Sequence, residues 1–134
     1  MKKWEMRKIV VIDDEKDFSR LVKMNLEETG RYDVMVENRG INGFDTVKRF
    51  KPDLVLLDIL MNDLDGGEVA VQLKNDESTK HIPVVFVTAI VKKEEVANKN
   101  GTIGGRPFLA KPVSTEELVN CIERNIIRSP NIIF

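Results

Sequence analysis

Two aspartates, Asp13 and Asp14, stand directly after the apolar run Ile9–Ile12, and a third, Asp58, stands directly after Leu54–Leu57. A third strong run, Val84–Val87, ends in Thr88-Ala89, and Lys111-Pro112 closes a weaker one. Carboxylates gathered at one rim repel, and without a cation at least one tends to keep a proton. A hard divalent cation neutralises such a cluster. Magnesium favours oxygen ligands, keeps several waters, and uses few carboxylates together with a phosphate. A threonine hydroxyl, a lysine ammonium and a metal would enclose an anionic oxygen cluster on three sides. That suits phosphoryl transfer, in which catalysis is mostly positioning and charge stabilisation. Taken singly, an aspartate at a strand end is most often a cap or turn residue. Asp14 and Asp17 are candidate caps for the helix that follows, and Lys16 is a candidate surface partner for Asp14. Three carboxylates at one rim exceed what caps and one lysine account for.

The elements that must bring these residues together follow from the apolar pattern. Ile9–Ile12, Leu54–Leu57 and Val84–Val87 are short and continuous, as strands buried on both faces of a parallel sheet are. Tyr32–Glu37 and Ile103–Ala110 are weaker strand candidates, the second interrupted by Gly104, Gly105 and Pro107. Helical spacing fills the gaps. Phe18, Leu21, Val22 and Leu26 form one face, with Gly30 as a stop; Ile41, Phe44, Val47 and Phe50 form another, stopped by Pro52. A third helix follows Gly66-Gly67, a short fourth one covers Lys92–Asn98, and Ser114-Thr115-Glu116-Glu117 writes a capping box before Leu118, Val119, Ile122 and Ile126. Five alternations of strand and helix predict an α/β sheet with helices on both sides and few permitted topologies. In such sheets ligands bind beyond the carboxyl ends of the strands, which is where the aspartates, the threonine and the lysine stand.

Composition agrees with a single soluble domain over residues 1–134. The 134 residues are 42% apolar and 32% charged with a net charge of −1, so no strong global field draws the chain to nucleic acid or an anionic membrane. The lone cysteine, Cys121, excludes an internal disulfide and lies in an apolar helical pattern, where it reads as a small buried hydrophobe. The lone histidine, His81, lies in a polar loop and reads as a surface residue. No apolar run is long enough to span a bilayer, and the start Met1–Glu5 is not followed by a signal-peptide core, which gives a cytoplasmic expectation.

The ordered set Asp13-Asp14, Asp58, Thr88-Ala89 and Lys111-Pro112 resembles the receiver domain of two-component response regulators, over roughly Arg7 to Arg128. Each motif alone is weak; the set, with each member after its own strand, is specific. The resemblance implies a flavodoxin-like (βα)5 doubly wound sheet, five parallel strands in the order 2-1-3-4-5 with helices on both faces. It implies that Asp58 is the phosphoacceptor. Asp14, Asp58 and the backbone carbonyl of Leu60 would bind Mg2+, with Asp13 acting through a metal-bound water. Lys111 would pair with the phosphoryl oxygens, Thr88 would hydrogen-bond them, and Ala89 would leave them room. Thr88 and Phe108 would form the switch pair, and the Lys111-Pro112 bond would be cis. The implied phosphoryl source is a sensor histidine kinase or a histidine phosphotransfer protein, and the implied readout is an output partner that the sequence does not identify. Direct nucleic-acid binding and membrane insertion are not expected, and a homodimer is left open.

Several positions depart from the family pattern. Asn62 stands where receivers usually carry proline, and Asp63 and Asp65 add negative charge to the loop before Gly66. Leu60 and Ile90 are apolar at positions flanking the path of the hydrolytic water, so slow dephosphorylation is expected. The segment Asn98–Pro107 is rich in Gly and Asn, and the tail Ser129–Phe134 is short and apolar. Two other functions compete with a phosphoryl-accepting switch. One is a receiver fold used only for binding or dimerisation, without phosphorylation; the complete site argues against it. The other is a magnesium phosphatase with an aspartyl nucleophile, which would want an acid two residues after the nucleophile, where Leu60 stands.

Overall fold

The computed structural model describes residues 6–89 and 102–126. In chain order the elements are β1 (Arg7–Ile12), α1 (Lys16–Glu28), β2 (Tyr32–Glu37), a 3-10 turn (Gly40–Asn42), α2 (Gly43–Phe50), β3 (Leu54–Leu57), α3 (Gly66–Lys74), β4 (Val84–Thr88), β5 (Thr102–Ile103), β6 (Arg106–Ala110) and α4 (Thr115–Asn125). The sheet runs β2-β1-β3-β4-β6-β5. All pairings are parallel except that of β5 with β6. The five parallel strands therefore have the expected order, 2-1-3-4-5 when they alone are counted.

Continuous apolar runs make sense because strand side chains alternate between two covered faces. Val10, Ile12, Val55 and Leu57 join Val47, Val69 and Leu73 in the core beneath α2 and α3. Ile9, Val11, Leu54 and Leu56 join Val22, Leu26, Leu118 and Ile122 in the core beneath α1 and α4. The register Ile9↔Leu54 through Ile12↔Leu57 keeps like faces together. Every residue of β3 is buried. Each such side chain contributes about 1.5–3 kcal/mol of burial.

The sequence's strand candidate at Ile103–Ala110 resolves into two pieces. Gly104 and Gly105 both take positive φ, 58° and 80°, and turn the chain into a hairpin in which Ile103 pairs with Arg106. Pro107 has no N–H to give to a ladder, and parallel pairing with β4 begins only after it, at Phe108. The helix faces also shift from the expected ones. Leu21 and Ile41 are exposed, and Ile41 lies in the 3-10 turn before α2. Neither Asp14 nor Asp17 caps α1: its N-cap is Glu15, without a side-chain cap bond, and Asp17 pairs instead with Arg20 at 3.0 Å. The capping box of α4 forms as expected, with Ser114 and Glu117 each accepting the other's N–H at 3.0 Å. Cys121 is buried, and burial pushes its thiol pKa up. His81 is exposed. Ile90, the helix expected over Lys92–Asn98 and the tail from 129 to 134 lie outside the described residues. Among the described residues no helix is long and apolar enough to cross a membrane.

Candidate functional site

The last hydrogen bonds of the parallel ladder carry the polar residues to one rim. Asp13 N–H donates to Glu37 O at 3.1 Å beyond β1, Asp58 N–H to Ile12 O at 3.0 Å beyond β3, and Lys111 N–H to Thr88 O at 2.9 Å beyond β6. The backbone of each residue is thus fixed by the neighbouring strand, and only the side chain is left to choose a direction. Asn38 backs the arrangement by donating its amide to Asp13 O at 2.7 Å and to Ser19 Oγ at 2.8 Å. The Lys111-Pro112 peptide bond is cis, as expected.

Asp13, Asp14 and Asp58 each offer a carboxylate oxygen, and these atoms lie within 4.8 Å of one another. Asp13, Asp58 and Thr88 are buried, while Asp14 is half-buried. Lys111 Nζ lies 2.8 Å from Asp13 Oδ2 and 3.6 Å from Asp58 Oδ2. It also lies 2.6 Å from Glu15 Oε1, and 4.2 Å from the centroid of the Phe18 ring. Burial raises the pKa of Asp58. The Lys111 charge, the Thr88 hydroxyl and the N–H groups of Leu60 and Ile59 pull it down without cancelling that rise. Burial also raises Asp13, against hydrogen bonds from Lys111 and the Glu15 N–H. For Lys111, burial lowers the pKa, but hydrogen bonds to Asp13 and Glu15 outweigh it and leave the ammonium more firmly protonated than usual.

One atom is conspicuous: Asp58 Oδ1 is buried and has no hydrogen-bond partner among the described residues. A buried carboxylate oxygen left unpaired is costly. Here it lies in a cluster of hard oxygen donors, the donor type magnesium prefers. The residues present therefore fit a divalent cation.

The expected site residues Asp13, Asp14, Asp58, Thr88 and Lys111 converge. Phe108 is 2% exposed and packs in the core under α3. Ala89 is exposed beside the rim, and Leu60 is 67% exposed. Asp63 and Asp65 have structural work rather than a place in the carboxylate cluster. Asp65 accepts the Gly67 N–H at 2.6 Å and caps α3. Asp63 accepts the N–H groups of Gly40 and Ile41 at 3.1 and 3.0 Å, bonds that hold its carboxyl below the usual range. Sequence reasoning missed three contacts: Glu15 and Phe18 on Lys111, and the Asn62 N–H, which donates to Asp14 Oδ2 at 2.9 Å. The last was foreshadowed by the departure from proline, since proline has no N–H to give.

A doubly wound parallel sheet with an acidic cluster and a lysine at its carboxyl rim defines a class, and comparison with known proteins names it. Residues 9–123 match the model of the response regulator receiver domain, and the chain belongs to that family. Such domains are signalling switches. A DNA-binding dual master transcriptional regulator, RpaA of Synechocystis, is 34% identical over 127 residues, 95% of this chain and 52% of the relative. The chain thus spans about half the length of that curated relative. Chemotaxis protein CheY4 of Vibrio cholerae shares the fold with a TM-score of 0.77 at 21% identity, covering 90% of this chain and 99% of that one. The receiver domain of a sensor histidine kinase of Pseudomonas aeruginosa, solved with magnesium coordinated in its active-site cleft, superimposes with a TM-score of 0.74 at 22% identity. That match covers 89% of this chain and 96% of the other.

Proposed function

We propose that this chain takes a phosphoryl group onto Asp58 in a magnesium-dependent reaction and signals through the resulting change of surface. The observation that carries this reading is the juxtaposition of three carboxylates within 4.8 Å with the Lys111 ammonium and with a buried Asp58 Oδ1 that has no hydrogen-bond partner among the described residues. Asp14, Asp58 and the carbonyl of Leu60 would hold the magnesium, with Asp13 acting through water. When bound, the metal supplies positive charge that lets the clustered carboxylates stay ionised and neutralises charge on the transferred group.

The chain's own residues do the rest. A carboxylate oxygen of Asp58 forms the bond to phosphorus while the bond from phosphorus to the donor breaks, and the donor leaves with that electron pair. Lys111 pairs with the phosphoryl oxygens as a point charge. Thr88 turns its hydroxyl to them, and Ala89 leaves the space they need. The new charge at the rim biases the Thr88–Phe108 pair, and that bias is the signal. The donor by this reading is a phosphohistidine on a sensor kinase or phosphotransfer protein, and the output is a protein partner.

The test is intact-mass spectrometry after incubation with acetyl phosphate, with and without magnesium. The wild type is expected to gain a single phosphoryl mass only with magnesium, and Asp58→Asn to gain none. A folded wild type that gains none under either condition would leave a receiver fold used for binding without phosphorylation.

A further inference from the structure

Lys111 is engaged by a residue that the phosphoryl-transfer reading leaves unused. Its Nζ is closer to Glu15 Oε1, at 2.6 Å, than to Asp13 Oδ2, at 2.8 Å, or to Asp58 Oδ2, at 3.6 Å. An ammonium has three donors, and the 3.6 Å approach to Asp58 is too long for a hydrogen bond. The two short contacts thus draw the charge toward Asp13 and Glu15. The Phe18 ring, 4.2 Å from Nζ, favours the same position through its π face.

The two acidic partners differ in kind. Asp13 is buried and belongs to the carboxylate cluster, whereas the Glu15 side chain is 61% exposed and stands on the solvent side of a lysine that is only 9% exposed. Glu15 is the N-cap residue of α1, yet its side chain makes no cap bond. Its own N–H is taken by Asp13 Oδ1 at 2.9 Å, which fixes its backbone next to the cluster. Among the described residues, the hydrogen bond of its carboxylate is to Lys111, 96 positions away in sequence.

We infer that Glu15 is a positioning residue: it holds the Lys111 ammonium away from Asp58 and must release it before Lys111 can pair with a phosphoryl oxygen there. The inference rests on Asp58 as the phosphoryl acceptor. Because Glu15 is largely exposed, the pair is weak enough to be exchanged for a stronger anion inside the site. A phosphoryl group, with three acceptor oxygens and more negative charge than one carboxylate, is such an anion.

The experiment is a titration of the full chain with beryllofluoride, a phosphoryl mimic, at saturating magnesium, followed by fluorine-19 NMR of the bound species. Wild type, Glu15→Gln and Glu15→Asp are compared, with circular dichroism and thermal melts confirming that all are folded. Glutamine keeps the shape and loses the charge; aspartate keeps the charge and loses the reach. Both variants are expected to bind the mimic about fivefold more tightly than wild type, the scale of an exposed ion pair. Tighter binding by Glu15→Gln alone would overturn the inference in favour of simple repulsion of an anion by a nearby charge. Equal or weaker binding by both would also overturn it. A folded wild type that binds magnesium but no beryllofluoride would instead overturn the reading of Asp58, and with it the role of Glu15.

Discussion

At the residue scale the site is a problem of unbalanced charge. Asp13 and Asp58 are buried beside Asp14, and among the described residues Lys111 is the cation paired with them. Removing that cation by Lys111→Met leaves two buried carboxylates without the opposite charge that offsets their burial and is expected to cost about 3 kcal/mol near pH 7.5. The loss should shrink as the pH falls. Burial already raises both carboxyl pKa values above 3.8, so the native state holds more protons than the unfolded chain between 3.8 and the raised values. Stability therefore falls as pH rises through that window, and losing Lys111 widens it. Urea melts of the variant across pH 4.5–8, with and without magnesium, check this; a pH-independent loss would contradict it. Asp13, Asp14, Asp58, Thr88 and Lys111 were legible in the sequence because they stand at the carboxyl ends of four strands, and those ends meet at one rim. Glu15 and Phe18 were not legible, because their part depends on where the Lys111 side chain points, and no local pattern reports a contact spanning 96 positions.

At the element scale the loop between β3 and α3 is built to a tight tolerance. A Cβ on Gly66 would stand 2.0 Å from Asp58 O and 2.8 Å from Ile59 Cα, and the Gly66 N–H donates to Ile59 O at 2.7 Å. Gly66→Ala must therefore move the backbone that carries the acceptor. It is expected to cost about 2–4 kcal/mol in urea unfolding and to weaken magnesium binding as well. A cost below 1 kcal/mol would show that the loop yields freely. On the other side of the sheet, Tyr32 of β2 donates its hydroxyl to Glu123 of α4 at 2.5 Å. Burial, then the Glu123 hydrogen bond and charge, push the phenol well above its ordinary pKa of 10.0. The native state keeps that proton after the unfolded chain has lost it, so stability falls as pH rises past 10. Tyr32 is the only tyrosine in the chain. Phenolate absorbance is therefore expected to appear only together with unfolding, and a native titration near pH 10 would contradict the buried tie. The strands with continuous apolar runs were read correctly because two-sided burial imposes that pattern. The β5–β6 hairpin was not, since Gly104 and Gly105 act through left-handed backbone conformations, which hydrophobic periodicity does not encode.

At the scale of the whole molecule, two apolar layers hold a parallel sheet, and among the described residues the buried carboxylates Asp13 and Asp58 are concentrated at its carboxyl edge. Ligands that bind there bind only the folded chain. Magnesium with beryllofluoride, at concentrations a hundredfold above their dissociation constant, is expected to add about 2.7 kcal/mol to stability. Asp58→Asn is expected to lose most of that gain; a gain that survives the substitution would place the ligand elsewhere. The order of strands was legible as a class, because alternating strands and helices with right-handed crossovers permit few sheets. The particular order came from the resemblance carried by the set Asp13-Asp14, Asp58, Thr88-Ala89 and Lys111-Pro112. The central claim is that Asp58 accepts the phosphoryl group, and the most direct measurement is to trap the acyl phosphate chemically. After reaction with acetyl phosphate and magnesium, borohydride reduction and peptide mass mapping should find homoserine at position 58 and nowhere else. An unreduced Asp58 in a protein that carries the phosphoryl mass, or reduction at Asp13 or Asp14 instead, would contradict the account.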